Sequence, residues 1–336
     1  ILFRPWLRWL REASPWAGWK IVLAGNTVWR GFALDFDSRC FDEALWLDRR
    51  RLMQSPLYFF AVARRLRRLR PVLLIYPVVS RELLGDLLVR ASRAGQAIAA
   101  ECDGINLEPR FARRSDRWYT RLVPVAARGF EFYRTRDFFG GLCAGLQPDF
   151  PRDSRIDHAA LCGRADAGSG RAVLFFPGAG DPRRCWPAGA WCRVGRLCST
   201  LGFRVVVCGS SAERALCQEV AACSGGESLA GSLGWKELVL RVSQARLVLC
   251  HDSMALHLAL ACSVPVVCIS NGNHYGRFVP YPDHLLKAPL AVLVPPAVLR
   301  VADPESFFSR GSDEDICGVS VDAALQAVRT LLEMDP

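Results

Sequence analysis

The stretch LVLCHDSMALHLALACSVPVVCIS, Leu247–Ser270, constrains the fold more than any other part of the chain. Two short apolar runs, RLVLC and VPVVCIS, flank a segment with helical character, SMALHLALAC. Such runs are too short for core helices and lack the polar alternation of half-exposed strands, so they read as strands covered on both faces. A compact strand–helix–strand unit of this kind belongs to a parallel sheet. Its one polar knot, His251-Asp252-Ser253 with His257 a turn later, falls where the first strand gives way to the helix.

The same alternation extends in both directions. Towards the C-terminus, AVLFFPGAG, FRVVVCGSS and the unit above supply strands, and PAGAWCRVGRLCSTLG, AERALCQEVAAC and GWKELVLRVSQA supply helices. In the N-terminal half, residues 19–26, 44–48 and 71–80 read as strands and PLYFFAVARRLRRLR as a helix with an apolar and an arginine face. Residues 85–100 read as a further helix, residues 112–124 as an irregular basic and aromatic loop, and ILFRPWLRWLRE as an amphipathic helix with Leu2, Trp6, Trp9 and Leu10 on one face. Proline, glycine, aspartate and serine crowd residues 148–170. The expected organisation is α/β: a Rossmann-like domain over 1–150, a linker over 151–170, and a second over 171–336.

The chain has 336 residues, 51% hydrophobic, enough for two medium domains. No run reaches the roughly 18 to 20 uninterrupted apolar residues of a membrane-spanning helix. A nicotinamide-dependent oxidoreductase is disfavoured, because no strand leads into G-x-G-x-x-G. The 14 cysteines form no C-x-x-C pair, and Cys208, Cys250, Cys262 and Cys268 sit inside apolar patterns, so they read as reduced, buried, cytosolic thiols. The formal charge of +10 points to acidic partners such as phosphates, nucleotides or an anionic membrane face. Arginine supplies all but Lys20, Lys236 and Lys287 of the 43 basic residues. The run RRLRRLR reads as the wet face of a helix or a contact with anionic lipid rather than a nucleic-acid site.

Three polar loops follow successive strands of the C-terminal half. In FFPGAGDPRRCWP, Gly178 and Gly180 allow close approach of the backbone, and Arg183 and Arg184 can bring a guanidinium to a phosphate. In CGSSAER, Glu213 can accept from paired hydroxyls such as those of a ribose. In LCHDSMALH, Asp252 or Ser253 caps a helix whose free N–H groups and dipole favour an anion. The alternative for each is structural: a capping aspartate with a satisfied histidine, and solvated loops.

The combination of PGAG…RRCWP, CGSSAER, LAGSLGWKEL…VSQARLVLCHDSMALHLALACSVPVVCI and GNHYGRFVPYP resembles the heptosyltransferases of lipopolysaccharide synthesis, glycosyltransferase family 9, strongly over about Leu174–Pro282. The resemblance implies a GT-B fold, two Rossmann-like domains facing across a cleft, and inverting, metal-independent transfer of a sugar from a nucleotide-diphosphate donor, with ADP-heptose favoured and no cofactor. Arg184 then matches a phosphate-contacting lysine, and Asp252 the acid that holds the donor sugar. Ser253, Met254 and Ala255 supply amides to the diphosphate, with His257 on the same turn. Glu213 matches the ribose-binding acid, Ala230 and Gly231 lie in the cradle of the base, and Gly178, Ala179 and Gly180 form the donor turn. Arginine in place of lysine, and Met254 where glycine is usual, depart from the family pattern.

Ser80, Arg81, His274 and Arg277 are expected on the acceptor side, the acceptor being a glycan or glycolipid. The protein is expected in the cytoplasm, with peripheral contact with the inner membrane. By the same resemblance the first strand and its Gly-Asp turn, which carries the general base, lie upstream of Ile1; Glu12, Asp35 and Asp37 are poor substitutes, so this chain is expected to bind donor but transfer poorly. A nucleotide-sugar-binding protein without activity, or a GT-B epimerase, is the alternative reading.

Overall fold

A computed structural model describes residues 1–144, 170–301, 306–309 and 312–334. The chain divides into two compact units, one of Leu2–Ser154 and one of Arg155–Pro336 together with Ile1. The expected linker, residues 151–170, lies outside the described residues except for Gly170.

The N-terminal unit carries two parallel sheets. Strands β1 (Val22–Asn26) and β2 (Glu43–Leu47) form one; β3 (Leu73–Tyr76), β4 (Gln96–Ala100) and β5 (Arg121–Val123) form the other, with β4 in the middle. Residues 85–100 are therefore not a single helix. The helix Leu83–Ser92 stops at Arg93, which adopts a left-handed conformation with φ 53°. The N–H groups of Gly95 and Gln96 then donate to the carbonyls of Pro71 and Val72, which starts the pairing of β4 with β3. AIAA has high helix propensity, but as the central strand it is buried to the last residue, and strand pairing overrides the local preference. Residues 112–124 are likewise ordered: the helix Pro109–Ser115, a 3-10 turn, and β5. The N-terminal helix Arg4–Glu12 buries Trp6 and Trp9, with Leu7 rather than Leu2 or Leu10 completing its inner face. Trp6 lies 5.3 Å from Phe132 and 5.8 Å from Phe139, ring centre to ring centre, on the helix Glu131–Leu142.

The C-terminal unit is built on one six-stranded sheet. Its strands are β6 (Ala172–Phe176), β7 (Arg204–Val207), β8 (Glu227–Ser228), β9 (Leu247–His251), β10 (Val266–Ile269) and β11 (Leu290–Leu293). They lie in the order β11-β10-β9-β6-β7-β8, and every pairing is parallel. Chain order runs outward in both directions from the β6–β9 pair, so the connections diverge there and leave a crevice beyond the strand ends, where doubly wound sheets bind ligands. The strand β11 extends the sheet beyond the elements expected from the sequence.

One cysteine pair corrects the expectation of reduced thiols throughout: Cys192 and Cys223 are joined as a disulfide. They lie on the helices Ala188–Thr200 and Arg214–Ser224. The approach of these helices depends on Gly195, where a Cβ would sit 2.1 Å from Ser224 Oγ. Ser199 Oγ and Arg196 Nε donate across the same seam to the carbonyls of Ser224 and Cys223. Two residues 31 apart in sequence are thus brought within bonding range by packing alone.

Trp191, fully buried on the first of these helices, joins the sheet to the loops above it: its ring is 5.5 Å from Phe175, 6.0 Å from Trp186 and 5.3 Å from His251. Trp191→Ala should lower the unfolding free energy by about 3–5 kcal/mol in urea titrations.

Candidate functional site

The β6–β9 crevice is built from a carboxylate, two imidazoles and an arginine. Strand β9 ends at His251, and the chain enters the helix Met254–Ala261 through Ser253, whose backbone is extended and whose Oγ accepts from Ala255 N–H at 3.4 Å. Ser253 is therefore the cap. Asp252 is not consumed by capping, yet it is buried, with 7% of its surface exposed.

His251 ties the loop after β6 to the end of β9. Trp186 N–H donates to its Nε2 at 2.9 Å, which leaves the hydrogen on Nδ1 to donate to Gly178 carbonyl oxygen at 3.3 Å. Both bonds require a neutral ring. Burial lowers its pKa to about 4, opposed by the Gly178 carbonyl and reinforced by Arg184. In the sequence this histidine shows only as an imidazole at the last position of an apolar strand.

Arg184 turns inward from the same loop. Its Nη2 donates to the carbonyl of Asp252 and lies 3.6 Å from Asp252 Oδ2. Burial raises the Asp252 pKa to about 6, against the lowering effect of Arg184. Arg183 is held outside, exposed and paired with Asp181 at 2.7 Å. Of the two arginines in DPRRCWP only Arg184 reaches the carboxylate. His257, one turn into the helix, has Nδ1 2.6 Å from the Tyr281 hydroxyl and its ring against Phe278 and Tyr281. Burial pushes the Tyr281 hydroxyl pKa up, so that group is protonated. Met254 is exposed beside these residues and Ala255 is buried.

The neighbouring loops close on this crevice. Glu213 Oε2 accepts from Ser210 N–H at 2.6 Å and Oγ at 2.7 Å, a helix-start box. Its other oxygen lies over Gly178, where a Cβ would come within 1.8 Å of Glu213 Oε1. Glu213 thus serves the loop's own structure as well as facing the turn at Gly178. Ala179 is half-buried and Gly180 is exposed. Gly231, at φ +70°, donates its N–H to Gly209 carbonyl oxygen at 2.9 Å, and a Cβ there would sit 2.8 Å from Ser211 Cα. Only glycine fits this approach, and the adjacent Ala230 is buried under it.

The expected acceptor-side residues make contacts within their own units. Ser80 Oγ donates to Asp103 at 2.6 Å. Arg81, four-square inside the N-terminal unit with no exposed surface, pairs with Asp116 and stacks on Tyr119 at 4.8 Å. Neither residue ends a strand, since β3 stops at Tyr76, and the burial of Arg81 removes it from the surface that an acceptor would meet. In the C-terminal unit, His274 Nδ1 lies 3.2 Å from Phe308 carbonyl oxygen, and the buried Arg277 guanidinium stacks on Phe278 at 4.9 Å and Phe308 at 5.8 Å. These contacts hold the loop after β10 to the segment Ser306–Ser309.

The two buried titrating groups have opposite linkage. A raised Asp252 pKa means the folded state holds its proton more tightly, so stability falls as pH rises from about 4 to 6. A lowered His251 pKa means the unfolded state takes up a proton first, so stability falls as pH drops from about 6.5 to 4. Each is on the order of 3 kcal/mol, and the two offset each other between pH 4 and 6. Asp252→Asn should therefore lose stability steeply towards acid over this range, and His251→Asn should gain it. Urea midpoints measured across the range check both slopes.

Residues 136–286 match the profile of glycosyltransferase family 9 (heptosyltransferase). No curated protein matches the chain. Among solved structures, a glycosyl transferase family 9 protein from Veillonella parvula superposes with a TM-score of 0.70 at 16% identity, covering 98% of this chain and 93% of that one. The E. coli heptosyltransferase WaaC with ADP-2-deoxy-2-fluoro heptose gives 0.69 at 17% identity, covering 98% and 95%. The E. coli ADP-heptose lps heptosyltransferase II gives 0.62 at 13%, covering 98% and 94%. At these identities the likeness is one of fold, the GT-B fold of two Rossmann-like units, and the profile adds a match to glycosyltransferase family 9, the heptosyltransferase family, over residues 136–286.

Proposed function

We propose that this protein transfers a heptose, with inversion and without a metal, from a nucleoside-diphosphate donor of the ADP-heptose type to a glycan or glycolipid acceptor of the lipopolysaccharide kind. The observation that carries the reading is the pairing of buried Asp252 with Arg184 at the reversal of strand order, beside the start of the helix Met254–Ala261. The donor lies over the C-terminal unit, with its diphosphate against Arg184 and the amides of Ser253, Met254 and Ala255. Its sugar hydroxyls donate to Asp252, which is ionised at neutral pH because its pKa, though raised, is about 6. The ribose lies towards the Gly178–Glu213 contact and the base towards Ala230 and Gly231.

The chemistry follows from that placement. An acceptor hydroxyl gives its proton to a general base, its oxygen bonds to the anomeric carbon, and the bond from that carbon to the diphosphate oxygen breaks. The leaving nucleoside diphosphate gains a negative charge, which Arg184 and the helix-start amides stabilise. His257, oriented by the protonated Tyr281 hydroxyl, stands one turn from those amides and contacts the sugar or phosphate. The N-terminal unit takes the acceptor. The same reading places the protein in the cytoplasm, in peripheral contact with the membrane that carries a glycolipid acceptor.

Release of ADP from ADP-heptose, dependent on added glycolipid acceptor, tests the reaction. Binding of ADP-heptose with no transfer to any acceptor would favour a binding protein. Arg184→Glu should weaken ADP binding at least about tenfold, about 1.4 kcal/mol, in calorimetric titration. Asp252→Ala should weaken binding of the intact sugar donor more than that of ADP; equal losses would return Asp252 to a purely structural role.

A further inference from the structure

The N-terminal unit leaves one helix face without a partner. The helix Pro56–Arg68 packs Tyr58, Phe59, Val62, Ala63 and Leu66 into a core with Leu52 and Leu88. Its opposite face carries Leu57, Phe60 and Ala61, then Arg64, Arg65 and Arg68, at helical spacings that align them along one side. Leu57 is 83% exposed and Phe60 67%, and Met53, on the preceding helix Arg49–Gln54, is 62% exposed. At the end of the helix, Arg67, Arg70 and Arg93 border an open groove of about 520 Å³ with exposed Val72 on its wall.

The charge on this face is of one sign. No acid occurs between Asp48 and Glu82, while that interval holds nine arginines. Glu82 is taken by Arg49 at 2.7 Å. Among the described residues, Arg64, Arg65, Arg67, Arg68 and Arg70 form no ion pair. An ordinary solvated helix face mixes signs and does not present its largest apolar side chains outward. Aliphatic and aromatic side chains flanked by unpaired guanidinium groups match an anionic lipid surface, which offers phosphates at one depth and hydrocarbon just below. A nucleic acid would satisfy the arginines and leave Leu57 in water. No helix among the described residues is long and apolar enough to cross a membrane, so such contact is peripheral.

We infer that the outer face of the helix Pro56–Arg68, with the Arg67–Arg70–Arg93 groove at its end, is a docking surface for an anionic lipid bilayer. The inference deepens the proposed function and rests on it only for the expectation that the acceptor is membrane-borne; the surface itself is argued from exposure and charge.

The test is co-sedimentation of the whole chain with vesicles of phosphatidylcholine alone or mixed with phosphatidylglycerol. Binding is expected to the mixed vesicles, weakening as salt is raised, and not to phosphatidylcholine alone. Arg64→Glu with Arg65→Glu and Arg68→Glu should reduce it more than about tenfold. Leu57→Ser with Phe60→Ser, which keeps every charge, should also weaken it clearly. All of these side chains are exposed, and circular dichroism checks that the variants keep the parent fold. ADP titration of the same preparations reads the donor site separately, so loss of vesicle binding with ADP affinity intact speaks only to this surface. Conversely, absence of ADP binding with vesicle binding intact would undo the donor reading alone. Equal binding to neutral and anionic vesicles, or substitutions without effect on vesicle binding, would overturn the inference. So would binding that depends on the arginines but not on Leu57 and Phe60 and is matched by duplex DNA, which would mark a polyanion site.

Discussion

The C-terminal unit depends on the parallel pairing of β6 with β9, the two strands from which chain order runs outward in opposite directions. All six strands are parallel, so their carboxyl ends share one edge and the loops after β6, β7, β8, β9 and β10 emerge together. Divergence of the connections at this pair keeps the space above it unfilled. The chain places Gly178 on one side of that space and Asp252 on the other, and His251 spans it.

Electrostatics at this edge are set by burial. A carboxylate with almost no exposed surface would be costly without a nearby cation, and Arg184 supplies one while keeping its head partly open to solvent. The imidazole beside it avoids the same cost by remaining neutral, using one nitrogen as acceptor and the other as donor. Three adjacent groups thus hold one negative, one positive and one neutral state near neutral pH. This arrangement is suited to a ligand that brings both hydroxyls and phosphates.

Much of this was legible in the sequence, and where it failed the failures share a cause. The apolar runs with β-branched residues, the glycines at the turns and the serine before Met254 announced strands, loops and a helix start through local chemistry. Residues 85–100 misled because alanine-rich sequence favours helix locally, and only the neighbours β3 and β5 make AIAA a strand. Arg81 misled because a basic residue near a strand end resembles a ligand contact until its buried partners Asp116 and Tyr119 are seen. The disulfide was invisible because Cys192 and Cys223 show no spacing motif, and their approach is decided by two helices meeting at Gly195.

The sequence by itself determined the class of the fold, the position of the polar loops after the strands and the chemical types they carry, because strand length, helix caps and turn glycines act over a few residues. Tertiary structure alone decided which of Arg183 and Arg184 faces the carboxylate, that His251 is neutral, that Glu213 shares its carboxylate with a helix start, and that Leu57 and Phe60 face outward. Each of these is a question of what lies across a gap from a side chain. Those neighbours come from segments tens of residues away, and only the packed sheet brings them together.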